Sequence, residues 1–189
     1  MLRSTEITAA RGWKPFRTAL KNDIIRAMSA AEGVADRLRV VAFAELQARD
    51  AFAYGVAKFA GQAPAQWLGY WEQFAVVEDR HAQMLLTRMD ELSIDPGERV
   101  VSDKLFKLCT LAHDPVDFLF LLSSAEERGM EAGFILGKDM QAFDPVSAKI
   151  FQTIAEEEVE HVKMANDALA PFDFLALKAK AKELNRAIV

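Results

Sequence analysis

Two stretches decide how this chain folds: Val77-Glu78-Asp79-Arg80-His81 and Glu157-Glu158-Val159-Glu160-His161. Each contains Glu-x-x-His, and together they use two of the chain's three histidines. Positions i and i+3 share a helix face, so each pair aims a carboxylate and an imidazole at one point. The flanking residues supply the helices. Trp71, Phe74, Leu85, Met89 and Leu92 fall on the stripe of Glu78 and His81, and Phe151, Ile154, Ala165 and Ala168 on that of Glu158 and His161.

Working outward, the same periodicity predicts two more long helices. One spans about 30–60, with Val34, Leu38, Val41, Glu45, Ala48, Phe52 and Phe59 on one stripe. The other starts at Asp114-Pro115, an N-cap followed by a residue suited to the first turn, and carries Leu119, Leu122, Glu126, Gly129, Gly133, Leu136 and Met140. Asp144-Pro145 repeats that start signal before the helix of Glu158. About twenty residues, 93–114, separate the second helix from the third, with a short helix expected around Leu105–Leu111; Pro171 ends the fourth, and a short Lys-rich helix is expected over 174–187. The expected fold is all-α: a ferritin-like four-helix bundle with a long crossover between helices 2 and 3. Residues 1–29 form an N-terminal extension, and 30–189 the bundle with its C-terminal helix.

The bundle carries an internal echo. Glu45 precedes Glu78 by 33 residues and Glu126 precedes Glu158 by 32. A Glu from each of two helices plus Glu-x-x-His from each of two others is the ligand set of a dinuclear carboxylate centre. Glu45, Glu78, Glu126 and Glu158 each interrupt an apolar stripe, and a buried ionised carboxylate is costly unless paired or coordinated. With no Lys or Arg on those stripes, two divalent cations balance the four charges, and His81 and His161 complete the set. Oxygen and nitrogen donors suit iron or manganese. Glu127 competes with Glu126 for the third helix, but Glu126 keeps the stripe and the repeat register. Glu127, Glu156, Glu157 and Glu160 read as solvated, and His113 as a loop residue. Gly129 and Gly133 either open a pocket beside the metals or let helices approach, the second being preferred. Asp50 and Glu131 read as exposed charges rather than partners of the imidazoles, and Tyr54 and Cys109 as packing residues.

Composition bounds the rest. Apolar residues make up 51% of 189, with 13 Phe and 7 Met, a surplus that would serve a homodimer interface or an apolar substrate cavity. A net charge of −5 and a pI near 5.3 argue against a nucleic-acid partner. The first 29 residues run the other way, with Arg3, Arg11, Lys14, Arg17, Lys21 and Arg26 against Glu6 and Asp23, and read as a solvated or docking segment. One cysteine excludes an internal disulfide or a Cys-x-x-Cys knuckle. No signal peptide or membrane-length apolar run is visible, so a cytoplasmic protein with no membrane partner is expected.

These residues resemble the ferritin-like di-iron superfamily and, within it, the family of unknown function DUF455, over about residues 38–169. The resemblance rests on Glu45-Leu46-Gln47-Ala48, on Glu78/His81, on Glu126-x-Arg128-Gly129-Met130, similar to the family's Glu-x-Arg-Gly-Leu, and on Glu157-Glu158-x-x-His161-Val162, similar to its Asp-Glu-x-x-His-Val. Ala44 stands where that family has a His, and Glu157 where it has an Asp. The resemblance favours Glu126 over Glu127. By analogy with the superfamily's tRNA hydroxylase, Glu78 and Glu158 would bridge the metals, with Glu45/His81 and Glu126/His161 completing one each. The leading functional expectation is an O2-activating oxidase or monooxygenase that uses two Fe ions (alternatively Mn2 or Fe/Mn), an external electron donor and a small apolar organic substrate. The alternatives are iron handling or peroxide scavenging, and a non-enzymatic metal-stabilised binding module.

Overall fold

The computed structural model describes residues 12–188; the earlier part of the N-terminal extension, with Arg3, Glu6 and Arg11, and the last residue, Val189, lie outside the described residues. Four long helices form the body: α1 (Ala31–Lys58), α2 (Ala65–Glu91), α4 (Pro115–Met140) and α5 (Pro145–Leu169). A short α3 (Lys104–Thr110) lies in the crossover and α6 (Phe174–Ala187) follows the bundle. The protein is an all-α four-helix bundle, and its boundaries fall within a residue or two of those read from the apolar stripes, the Asp-Pro starts and Pro171.

Local chemistry explains the ends. Asp114 accepts hydrogen bonds from the amides of Val116 and Asp117 at 3.0 and 2.9 Å, and Pro115 occupies the first helical turn. Asp144 does the same for Ser147 at 3.0 Å, again followed by proline. The short links 59–64 and 141–144 make α1/α2 and α4/α5 into two hairpins, and each pair packs along its length. The core between them is aromatic and aliphatic, with Leu38, Phe43, Trp71, Leu85, Phe118 and Phe151 fully enclosed.

The crossover holds the one feature periodicity did not reveal. Among the described residues, two three-residue strands, β1 (Arg17–Ala19) and β2 (Val100–Ser102), pair in parallel, with Thr18 opposite Val101. The approach to β1 is anchored by Trp13 and Phe16. The Trp13 ring meets Phe43 and Phe106 edge-on at 5.2 and 5.5 Å, and its indole N–H donates to Asp50 at 2.7 Å. So Trp13 and Phe16 pin the basic extension to the bundle while most of residues 12–29 stay exposed, and Asp50, read as an exposed charge, is a half-buried acceptor for that anchor.

A buried ion cluster ties this segment to α1. Asp36 accepts from Arg26 and from Arg39, itself 1% exposed, and Arg39 also donates to the Asp95 carbonyl and to Glu98. Burial works to raise the Asp36 carboxyl, but the Arg26 bonds outweigh it and bring it down to about 2.

Candidate metal centre

The four long helices each contribute to one buried cluster: Glu45 from α1, Glu78 and His81 from α2, Glu126 from α4, and Glu158 and His161 from α5. Every one of the six sequence-predicted residues is brought to this point. Glu78 and His81 are completely enclosed, Glu158 and His161 are 3% exposed, and Glu126 is 7% exposed. Glu127 is exposed, so burial separates the two neighbouring acids on α4.

The geometry divides into two overlapping sets of four, Glu45–Glu78–His81–Glu158 and Glu78–Glu126–Glu158–His161. In each set one ligand-type atom per residue lies within 4.8 Å of all the others. Glu78 and Glu158 belong to both. His81 Nδ1 lies 3.1 Å from Glu158 Oε1, 3.6 Å from Glu45 Oε2 and 3.7 Å from Glu78 Oε2. His161 Nδ1 lies 2.8 Å from Glu158 Oε2, 3.0 Å from Glu78 Oε1 and 3.4 Å from Glu126 Oε2. Thus each shared glutamate turns one oxygen to either imidazole, and both imidazoles present Nδ1 inward.

The charge state reflects this crowding. Burial, reinforced by the Glu78 charge, raises the carboxyls of Glu45 and Glu126 well above the usual range. Burial opposes protonation of His161, but the surrounding carboxylates overcome it and push the imidazole up to about 12; His81 is raised for the same reason. Burial would also raise Glu158, yet contact with both imidazoles lowers it. Without a metal, protons supply the positive charge the acids require.

Each of the two sets could hold a metal ion. Both oxygens of Glu78, both oxygens of Glu158 and Nδ1 of His81 are buried and make no directed hydrogen bond, although their neighbours lie within ion-pair distance. Buried polar atoms are rarely left so. Apart from the 3.4 Å contact of His161 Nδ1 with Glu126, these groups converge without bonding to one another, and such a set could hold a metal ion.

One partner was missed in the sequence. Glu157, read as solvated, bonds Nε2 of His81 at 2.7 Å and is itself clamped by Arg80 at 3.0 and 2.5 Å. The Arg80 bonds hold the Glu157 carboxyl below its usual range. With Glu157 accepting from Nε2–H, the Nδ1 lone pair is directed at the centre. The signal was the acid beside Glu158 in the Asp-Glu-x-x-His pattern. Glu131 and His113 are exposed, while Tyr54 packs against Phe106 and Phe118. Cys109 is buried in α3, and burial raises its thiol.

A cavity of about 90 Å³ adjoins the cluster, walled by Glu45, Glu126 and Glu158 together with Gly129, Gly133 and Ile154. The two glycines differ. A Cβ on Gly133 would stand 2.9 Å from the Ala155 Cβ, so this residue allows α4 to approach α5; one on Gly129 would meet nothing within 4 Å. Both glycines thus wall the cavity, and Gly133 in addition serves the close approach of the helices.

No curated protein and no solved structure matches the chain. Residues 9–175 do match the family described as "Protein of unknown function (DUF455)", which takes in all four long helices and every residue of the cluster. By that match the chain belongs to the DUF455 family.

Proposed function

We propose that this protein is a dinuclear, carboxylate-bridged metalloenzyme, with two irons as the preferred occupants, that uses O2 to oxidise an organic substrate. The observation that carries the metal reading is the division of Glu78 and Glu158 between two sets, one oxygen to each side. In this reading Glu45 and His81 complete one metal site and Glu126 and His161 the other.

Two irons, when bound, would supply the electrons and Lewis acidity that O2 reduction needs. The chain's own contributions are separate from that chemistry. Glu157, held by Arg80, fixes the tautomer and tilt of His81. Phe74, 3.8 Å from the His161 ring, and Phe52, 6.0 Å away, shield His161 from water. The cavity beside Glu45, Glu126 and Glu158 leaves room for a small molecule or the end of a larger one. A single cysteine cannot build a cysteine-ligated iron–sulfur centre in this chain, so electrons would come from a separate donor.

The test begins with metal content. Protein purified with iron available should carry about two irons per chain, and a Glu78→Ala/Glu158→Ala double variant almost none. Reaction of the reduced, loaded protein with O2, followed by absorption spectroscopy, then separates an oxygen-using centre from an inert one. A wild type that stays metal-free after anaerobic loading with Fe(II) or Mn(II) would overturn the proposal.

A further inference from the structure

The metal cavity shares two wall residues, Leu105 of α3 and Ala125 of α4, with a much larger groove of about 740 Å³. That groove runs between α3, α4 and α6, and its volume lies in the range of small-molecule sites. Its floor is apolar, with Leu108, Phe120 and Leu121 inside and Phe174 stacked edge-on over Phe120 at 5.3 Å. Its rim is cationic. Lys104, Arg128, Lys178 and Lys182 line it, against one acid, Glu127.

These four cations stand out in a chain of net charge −5. None has a carboxylate within ion-pair distance among the described residues, whereas Lys180, on the same helix, is bound by Asp114 and Asp117. Unpaired like charges gathered over an apolar floor repel one another and lower the cost of binding an anion. The outer wall, α6, buries none of its residues fully and is held to the body through Phe174, Lys180 and the half-buried Leu177 and Ala181.

We infer that this groove binds a soluble, single-chain amphiphilic anion, with a carboxylate or phosphate head at the Lys/Arg rim. Its apolar chain lies on the Phe120 floor, and its far end crosses Leu105 and Ala125 into the metal cavity. The inference deepens the proposed function by naming the substrate class, and its role as a substrate site rests on that reading. The acidic remainder of the chain disfavours a nucleic acid, whose phosphates would meet that charge beyond the rim.

The experiment is calorimetric titration of the full, metal-loaded chain with octanoate, decanoate, dodecanoate and dodecyl phosphate below their micelle concentrations. Dodecanol and dodecyltrimethylammonium serve as comparators. The carboxylates should bind one per chain, tightening by about fourfold per added methylene until the chain end is accommodated, and weakening with salt. The phosphate arm distinguishes a phosphate ester from a free acid as the preferred head. Lys178→Glu/Lys182→Glu, both exposed, should weaken dodecanoate at least tenfold and leave dodecanol within twofold. Gly129→Leu, which projects into open space at the cavity, should keep octanoate binding but abolish the gain from the last methylenes. Equal binding of all head groups, indifference to the lysine reversal, or binding of anionic phospholipid vesicles without binding of the monomers would each overturn the inference. Repeating the titration on metal-free protein separates the two readings. Groove binding in a chain that refuses metal would support the groove and sink the metal proposal, and a loaded chain that ignores every amphiphile would do the reverse.

Discussion

The two halves of the cluster use the same residue types at nearly the same spacing and differ in what surrounds them. Glu45, Glu78 and His81 in the first hairpin have Glu126, Glu158 and His161 as their counterparts in the second. Three neighbouring positions break the correspondence. Glu157, before Glu158, holds His81, while Val77 precedes Glu78. Phe52, seven residues after Glu45, corresponds to Gly133, seven after Glu126; Phe74, four before Glu78, corresponds to Ile154, four before Glu158. The two phenylalanines meet each other at 5.5 Å and cover His161, whereas Gly133 and Ile154 wall the cavity. A near-symmetric cluster of four acids and two imidazoles therefore sits in an asymmetric surround, with one side filled by rings and the other left open. The open side lies beside Glu45, Glu126 and Glu158, and the carboxylate contact of Glu157 falls on His81.

The sharpest way to break the comparison is to remove one shared and one unshared ligand. Glu158→Ala should take metal content from about two per chain to near zero, whereas Glu126→Ala should leave about one, by plasma mass spectrometry on both proteins. Equal losses would mean that the two sets do not share their bridging acids.

Protons give the next largest effect. Both imidazoles are raised in the metal-free cluster, His161 to about 12, so each is protonated at neutral pH and must be neutral to coordinate. Loading should release about two protons per chain from the histidines, with a further share from Glu45 and Glu126, which are also raised. Affinity should thus climb steeply with pH, and a pH-independent binding isotherm would contradict this arrangement.

The filled side should matter more for stability than the open one. Phe74→Ala removes a buried ring from the Phe52–His161 cluster and should cost about 3–5 kcal/mol in denaturant unfolding; Ile154→Ala, next to existing space, should cost about 2–3 kcal/mol. A smaller and more local effect is expected at Glu157. Glu157→Ala should weaken one metal by about 10–100-fold, leave the other unchanged, and split a single binding transition into two. Smallest is the glycine pair. Gly133→Ala should cost about 1–2 kcal/mol because its Cβ meets Ala155, while Gly129→Ala should stay within about 0.5 kcal/mol.

Much of this was legible without coordinates. Helix boundaries were marked by the Asp-Pro starts and by Pro171, whose effects are local and need no knowledge of distant residues. The acids of the cluster showed themselves as polar interruptions of apolar stripes. Other features were hidden because they join residues far apart in the chain. Trp13 gives Asp50 its partner across 37 residues, Glu157 reaches His81 across 76, and strand β1 is too short to show an alternating pattern before it pairs with β2. Arg39 and Asp36 are buried on α1 because the folded crossover brings the Asp95 carbonyl and Glu98 to Arg39.

The sequence by itself determined the helices, their pairing into two hairpins and the gathering of four glutamates and two histidines on inward faces, because periodicity and capping act over a few residues. Tertiary structure alone decided how the shared carboxylates divide their oxygens, which imidazole receives a carboxylate partner, and that one side is packed while the other is hollow. Those outcomes depend on the rotation of each helix about its axis and on helix separation, which are set by side chains meeting across the bundle.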